Sequence, residues 1–181
     1  MLPEKLVDVY RGDLVESSHY GHVVISNSFG EILAYWGNPD ALIYPRSSCK
    51  IIQALPLLET GSAKQFSLGP EHLALACASH SGGEIHLNVA KDWLKKIELN
   101  EQDLLCGCHL PYDKTQKQKL KKNGENPSQL HNNCSGKHLS FLTISKTILH
   151  KNDYKSNYID INHPVQKIVK NTFEQITGFQ N

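Results

Sequence analysis

Apolar and polar residues alternate through the first part of the chain, which is typical of strands that bury one face. The alternation runs through residues 6–11, 22–26 and 31–36. Asn27, Ser28 and Gly30 separate the last two segments and are common turn residues. The pattern therefore predicts antiparallel strands that include a hairpin over residues 22–36.

From residue 44 onward the apolar spacing changes to three and four, which predicts helices. One helix is expected to start after Pro45 with a serine cap and to be bent or broken at Pro56. Another helix is predicted to start near residue 70, with Pro70 in its first turn. Further helices are predicted over residues 84–97, 113–122 and 139–149, and from residue 164 onward.

Within residues 84–97 the helical spacing defines one apolar side. The residues predicted to lie on it are Ile85, Val89, Trp93, Leu94 and Ile97. A few strands followed mostly by helices predict an α+β fold, with helices packed on a short antiparallel sheet. So small a sheet cannot bury the apolar faces of this many helices. We therefore expect residues 1–181 to form a single domain, as the N-terminal part of a longer domain.

Composition fits an ordinary folded protein and excludes several classes of partner. Of the 181 residues, 39% are hydrophobic and 20% charged, and the formal net charge is +1. This balance gives no electrostatic footprint for nucleic acid or a membrane, and no segment approaches the length of a membrane-spanning helix. The lysines concentrated in residues 114–122 are interpreted as the solvated face of a helix.

The five cysteines indicate a reducing compartment, because their number is odd and their spacing uneven. The N-terminus lacks the basic and apolar regions of an export signal. We therefore expect a cytoplasmic protein. Cys106, Cys108 and His109 resemble a metal site, but the second pair of ligands that structural zinc requires is missing.

Residues 131–138, with the sequence His-Asn-Asn-Cys-Ser-Gly-Lys-His, carry the densest candidate chemistry. Cys134 is predicted to lie at or just before a helix N-terminus, with Lys137 in the next turn. A cysteine so placed is a candidate nucleophile or metal ligand. Alternatively, an asparagine or serine of this stretch caps the helix and Cys134 is a small buried residue.

Two further stretches carry candidate nucleophiles. Ser47 and Lys50 form an S-x-x-K pattern and share a helix face, so the lysine could take the serine proton. The alternative is a capping serine with a surface lysine. Residues 77–86 offer the hydroxyl of Ser79 and the imidazole of His80 in a glycine-rich break, for which a capped helix junction is the alternative.

Three stretches occur together and in order: Pro-Arg-Ser-Ser-Cys-Lys at 45–50, Ala-Ser-His-Ser-Gly at 78–82 and Leu-His-Asn-Asn-Cys-Ser-Gly-Lys-His at 130–138. In this combination the chain resembles the asparaginase II family, the bacterial and fungal type related to the thermolabile Rhizobium enzyme. The resemblance implies part of a fold like that of serine β-lactamases and penicillin-binding proteins. It also implies an amidohydrolase that converts L-asparagine to L-aspartate and ammonia through an acyl-enzyme.

The resemblance assigns roles to residues by position. Ser47 would be the nucleophile and Lys50 its base, assisted by Ser79. The residues implied to bind substrate are Arg46, His80 and Asn133. Cys134 and Lys137 would be ligands of a Zn²⁺ ion beside the serine.

The resemblance also implies a longer protein, whose second half carries further metal ligands, so the zinc site is expected to be incomplete in this chain. A homodimer is a further expectation. Ser140 stands where the family usually has glycine. The alternatives are a catalytically inactive, truncated remnant that binds zinc or an amino acid, and an acylase that acts on a β-lactam or a peptide.

Overall fold

A computed structural model describes residues 1–149 and 157–179. The chain divides into two compact units, Met1–Pro45 and Arg46–Asn181. Strands lie in the first and helices in the second, so the predicted α+β class is confirmed. That residues 1–181 form a single domain, the N-terminal part of a longer one, stays a prediction.

The first unit consists of two antiparallel hairpins. Strand β1 (Glu4–Arg11) pairs with β2 (Leu14–Gly21), and β3 (Val23–Ser26) pairs with β4 (Ile32–Trp36). The hairpin predicted over residues 22–36 is confirmed. Strand β2 was not predicted, because polar residues at 16–19 interrupt its alternation; pairing with β1 supplies the order that the pattern lacks.

The second unit contains the helices. Their bounds are α1 (Lys50–Glu59), α2 (Ser62–Gln65), α3 (Pro70–Cys77), α4 (Glu84–Lys96), α5 (Lys114–Asn123), α6 (Ser135–Ile148) and α7 (Pro164–Thr177). Short 3-10 helices cover Arg46–Cys49, Glu101–Asp103 and Gln129–His131. Among the described residues, none of these helices has both the length and the apolar character needed to span a membrane.

Helix α1 lacks the predicted serine cap, and it is not interrupted at Pro56. It begins at Lys50 after a 3-10 turn, and its N-cap residue Cys49 makes no side-chain cap, so the predicted serine cap is wrong. The helix also continues through Pro56 to Glu59, so it is not broken there. Pro56 is almost fully buried, and packing around it offsets the backbone hydrogen bond that proline removes.

Helix α6 is the centre of the helical core. Leu139, Leu142 and Ile144 are fully buried, and the helix is buried on nearly all sides. The indole nitrogen of Trp93 donates to the hydroxyl of Thr143 at 2.9 Å, which joins α4 to α6 inside the core. Cys134 is the N-cap residue of α6, as the sequence predicted.

The buried side of α4 matches the predicted one except at its first turn. Trp93, Leu94 and Ile97 are buried as expected and Val89 packs against the core, but Ile85 is 72% exposed. Leu87 and Ala90 are buried in its place. The helix begins only at Glu84, so Ile85 lies in its first turn, at the edge of the packed face.

Gly136 allows α3 and α6 to approach closely. A Cβ atom there would lie 2.1 Å from the carbonyl oxygen of Leu75, a backbone atom that cannot rotate away. Only glycine therefore fits this helix contact. The contact fixes the first turn of α6, which carries Cys134 and Lys137.

Burial lowers the pKa of two imidazoles in the second unit, those of His80 and His138, to about 4. His80 lies 4% exposed and His138 8% exposed. The hydroxyl of Tyr158 lies within hydrogen-bond distance of Nδ1 of His138, at 2.8 Å, and accepts from the backbone N–H of Leu105. This neutral imidazole thus holds a chain segment against α6.

Gly136→Ala should lower the free energy of unfolding by about 3 kcal/mol, because the added methyl group forces α3 and α6 apart. Urea unfolding followed by circular dichroism measures the change. Ser140→Ala on the same helix is the matched control. The Ser140 hydroxyl is buried and bonds to no described residue, so its removal should be neutral or stabilising by about 1 kcal/mol. Equal destabilisation by both variants would contradict the close-contact account.

Stability should fall as the pH drops from 6.5 towards 4. In that window the unfolded chain binds protons that His80 and His138 do not bind when folded. Between pH 7 and pH 5 the loss is roughly 2 kcal/mol for each imidazole. Urea unfolding at pH 5, 6 and 7 tests this, and His138→Asn should flatten the dependence while exposed His19→Asn should not. A stability constant from pH 7 to pH 5 would contradict it.

Candidate active site

Ser47 lies on the 3-10 turn that leads into α1. Residues three apart nearly eclipse one another on such a turn, so Ser47 and Lys50 lie on the same face. Arg46, directly before the serine, has a φ of 54°, a left-handed conformation that costs a non-glycine residue on the order of 1–3 kcal/mol. The turn therefore presents the Ser47 side chain, which is exposed, at the start of a helix.

Lys50 is the most constrained charged side chain of the site. It is 2% exposed, and its Nζ donates to the carbonyl oxygen of Ala78 at 2.8 Å, to Oγ of Ser79 at 2.9 Å and to the carbonyl oxygen of Asn133 at 3.1 Å. These acceptors match the three N–H donors of an ammonium group. The lysine thus joins α1 to the loop after α3 and to the loop before α6.

The same geometry also accommodates a neutral amine. Its two N–H groups would donate to the carbonyl oxygens of Ala78 and Asn133, and its lone pair would accept from the Ser79 hydroxyl. Within residues 1–149 and 157–179, no carboxylate pairs with Lys50. The arrangement can therefore move a proton between Lys50 and a serine hydroxyl without a change in its other partners.

A cavity of about 170 Å³ brings together five of the eight sequence-predicted site residues; Ser79, His80 and Asn133 are not part of its lining. Its lining consists of Arg46, Ser47, Lys50, Gln53, Cys134 and Lys137. Three of these side chains are basic and none is acidic, so the cavity favours a ligand with a carboxylate. Gln53 was not singled out from the sequence, although its position three residues after Lys50 on α1 places both on one face.

The loop before α6 is held by side chains whose roles the sequence did not reveal. Nδ2 of Asn132 donates to the carbonyl oxygens of Cys106 and Gly107, and its Oδ1 accepts from the N–H of Cys134. Burial raises the pKa of Cys106 to about 12, which keeps this thiol neutral. These bonds fix the backbone next to the carbonyl that holds Lys50.

His109 holds the same loop from another side. Its Nδ1 donates to the carbonyl oxygen of Leu110, so Nε2 is left as an acceptor. The backbone N–H of Asn133 donates to that Nε2 at 3.2 Å. His109 thereby supports the Asn133 carbonyl from behind, a positioning role that its place beside two cysteines did not suggest.

His80 is tied to the protein rather than to the cavity. Its Nδ1 accepts from the N–H of Gly82, so Nε2 carries the proton and donates to Oγ of Ser135 at 2.8 Å. Ser135 in turn donates to the carbonyl oxygen of Leu130. These bonds anchor the loop that carries Ser79. Substrate binding by His80 stays a prediction.

The described residues at the cavity supply too few donors for a zinc ion. Cys134 and Lys137 line the cavity together, but a zinc site takes at least three protein ligands. In the part of the chain that the structure describes, no group of three or more His, Cys, Asp and Glu side chains could hold a metal ion. The described residues do not by themselves fit a zinc site, and zinc binding stays a prediction.

Comparison with known proteins identifies a family but assigns no role to individual residues. No curated protein matches the sequence. The profile of the L-asparaginase II family matches residues 7–181, nearly the whole chain, including the stretches that carry Ser47, Ser79 and Cys134. The chain therefore belongs to the L-asparaginase II family.

Proposed function

We propose that the protein hydrolyses L-asparagine to L-aspartate and ammonia, with Ser47 as the nucleophile. The observation that carries the proposal is the buried Lys50, which bonds to Ser79 and lines the same cavity as Ser47. A buried amine beside serine hydroxyls is a known means of activating a serine that has no histidine partner.

In the first step, Oγ of Ser47 attacks the side-chain amide carbon of the substrate, and its proton passes to neutral Lys50. Ser79 can relay that proton, since its hydroxyl is within 2.9 Å of Nζ. The carbon–nitrogen bond then breaks, the ammonium of Lys50 returns the proton to the leaving nitrogen, and ammonia departs. An aspartyl ester on Ser47 remains.

In the second step, a water molecule attacks the ester, and Lys50 accepts a proton from that water. The bond between the acyl carbon and Oγ breaks, L-aspartate leaves and the Ser47 hydroxyl is restored. Lys50 thus serves as base and then acid in both halves of the reaction. The carbonyl oxygens of Ala78 and Asn133 keep it aimed throughout.

The basic lining of the cavity supports recognition of the substrate's α-carboxylate. Arg46 is the best placed for this, because it precedes the nucleophile directly and its guanidinium can bind a carboxylate with two parallel hydrogen bonds. Cys134 and Lys137, which line the same cavity, remain the proposed zinc ligands.

Ser47→Ala and Lys50→Met should each lower the rate of ammonia release from L-asparagine by at least about 10³-fold, because each removes a group that forms or breaks bonds. Ser79→Ala should cost roughly 10 to 100-fold, as expected for a relay. A coupled ammonia assay measures the rates.

The matched control is Ser48→Ala, which removes the neighbouring hydroxyl that does not line the cavity. It should leave the rate within about twofold of the parent. Circular dichroism checks that each variant is folded. Unchanged ammonia release by Ser47→Ala, or no release by the folded parent protein, would contradict the proposal; the second result would favour a binding protein without turnover.

Arg46→Met should raise KM for L-asparagine roughly tenfold, since it removes the charge proposed to hold the α-carboxylate. L-Asparagine α-amide, which lacks that carboxylate, should be a poor substrate for the parent protein. Its kcat/KM should fall little further in Arg46→Met. The control is Lys122→Met, an exposed lysine on α5. A further tenfold fall in kcat/KM for the α-amide in Arg46→Met would show that Arg46 acts through something other than the carboxylate.

A further inference from the structure

A second cavity lies in the helical unit, with a volume of about 450 Å³. It is formed by α4, α5, the 3-10 helix Glu101–Asp103 and the segment before α6, and it shares no lining residue with the Ser47 cavity. Its volume is in the range of small-molecule sites. Leu87, Leu120 and Leu130 form a buried apolar part of its wall.

Two buried polar side chains also line this cavity. His131 is 7% and Gln116 9% exposed. Nδ1 of His131 accepts from the N–H of Ser128, so Nε2 carries a proton. Nε2 of the Gln116 side chain lies 3.3 Å from that Nε2, and Gln116 also lines the cavity.

Charges of both signs surround these groups. Lys91 and Lys119 line the cavity beside Glu101 and Glu125, and none of these four side chains forms an ion pair with another residue in the described ranges. Burial lowers the pKa of His131, and the charges of Glu101 and Glu125 offset that shift only in part.

Charges of both signs around an apolar wall match a small molecule that carries an ammonium and a carboxylate. Of the two glutamates, Glu101 also accepts from the N–H of Leu130 and Glu125 from Nδ2 of Asn123. A polyanion is disfavoured, because the two glutamates cancel the two lysines. We propose that this cavity is a second binding site, which takes a small zwitterion such as a free α-amino acid or a dipeptide. The proposal does not rest on the asparaginase activity.

The position of the site connects it to Lys50. The 3-10 helix Gln129–His131 ends at the cavity, and Asn133, two residues later, gives its carbonyl oxygen to Nζ of Lys50. A ligand that holds His131 should therefore also order residues 131–134. Occupancy of the second cavity would then adjust the acceptor that aims the lysine.

Titration calorimetry on the full chain with Ser47→Ala, which removes the nucleophile, tests the site. Glycine and glycylglycine are the zwitterionic probes and separate an amino acid from a dipeptide. N-acetylglycine lacks the ammonium and glycinamide lacks the carboxylate, so both should bind at least tenfold more weakly than the better zwitterion. Lys119→Met and Glu125→Gln should each weaken binding of that zwitterion about tenfold. Lys122→Met, on the same helix as Lys119, should leave the binding unchanged.

Arg46→Met in the same background separates the two cavities. If it abolishes zwitterion binding while Lys119→Met has no effect, the ligand occupies the Ser47 cavity and the proposal is overturned. Absence of any binding by the folded protein overturns it as well. Hydrogen exchange supplies an independent readout: the bound zwitterion should slow exchange at residues 131–134, and unchanged exchange there would contradict the connection to Lys50.

Discussion

The burial of the Lys50 amine among hydrogen-bond partners is the interaction on which the site depends. An amine taken out of water needs its N–H donors satisfied, and Lys50 finds its partners at Ala78, Ser79 and Asn133. The loop that carries Ala78 and Ser79 is far in sequence from the loop that carries Asn133, so both loops must be held in place before the lysine can be buried. His80, His109 and Asn132 provide this support through hydrogen bonds to neighbouring backbone and side chains. The geometry that stabilises the lysine is thus also the geometry that aims it.

The fold could be predicted where local pattern and burial agree. Helices α4 and α6 have clear apolar spacing, and the start of α3 is marked by Pro70. Prediction failed where a long-range contact decides the outcome. Strand β2 has little alternation of its own and forms by pairing with β1, and α1 passes through Pro56 because that proline is packed on all sides. Tertiary burial outweighed local propensity at both places.

The candidate site divides in the same way. The reactive side chains could be found from sequence because serine, lysine and cysteine in three ordered stretches are unusual, and Ser47, Lys50, Cys134 and Lys137 do line one cavity. The backbone hydrogen-bond partners of Lys50 could not be predicted from the sequence. Any residue type offers a carbonyl oxygen, so nothing in the sequence marks those of Ala78 and Asn133 as the partners of a lysine. A histidine that supports a loop, such as His109, has no pattern that separates it from a metal ligand.

The central claim is that Lys50 serves a serine at position 47 that becomes acylated. The most direct measurement is mass spectrometry of the protein quenched in acid during turnover of L-asparagine, followed by digestion to locate the modified residue. The account predicts an added aspartyl group on the peptide that contains Ser47, and no such group in Lys50→Met. An aspartyl adduct on a different residue, or steady ammonia release with no adduct under any quench condition, would contradict it.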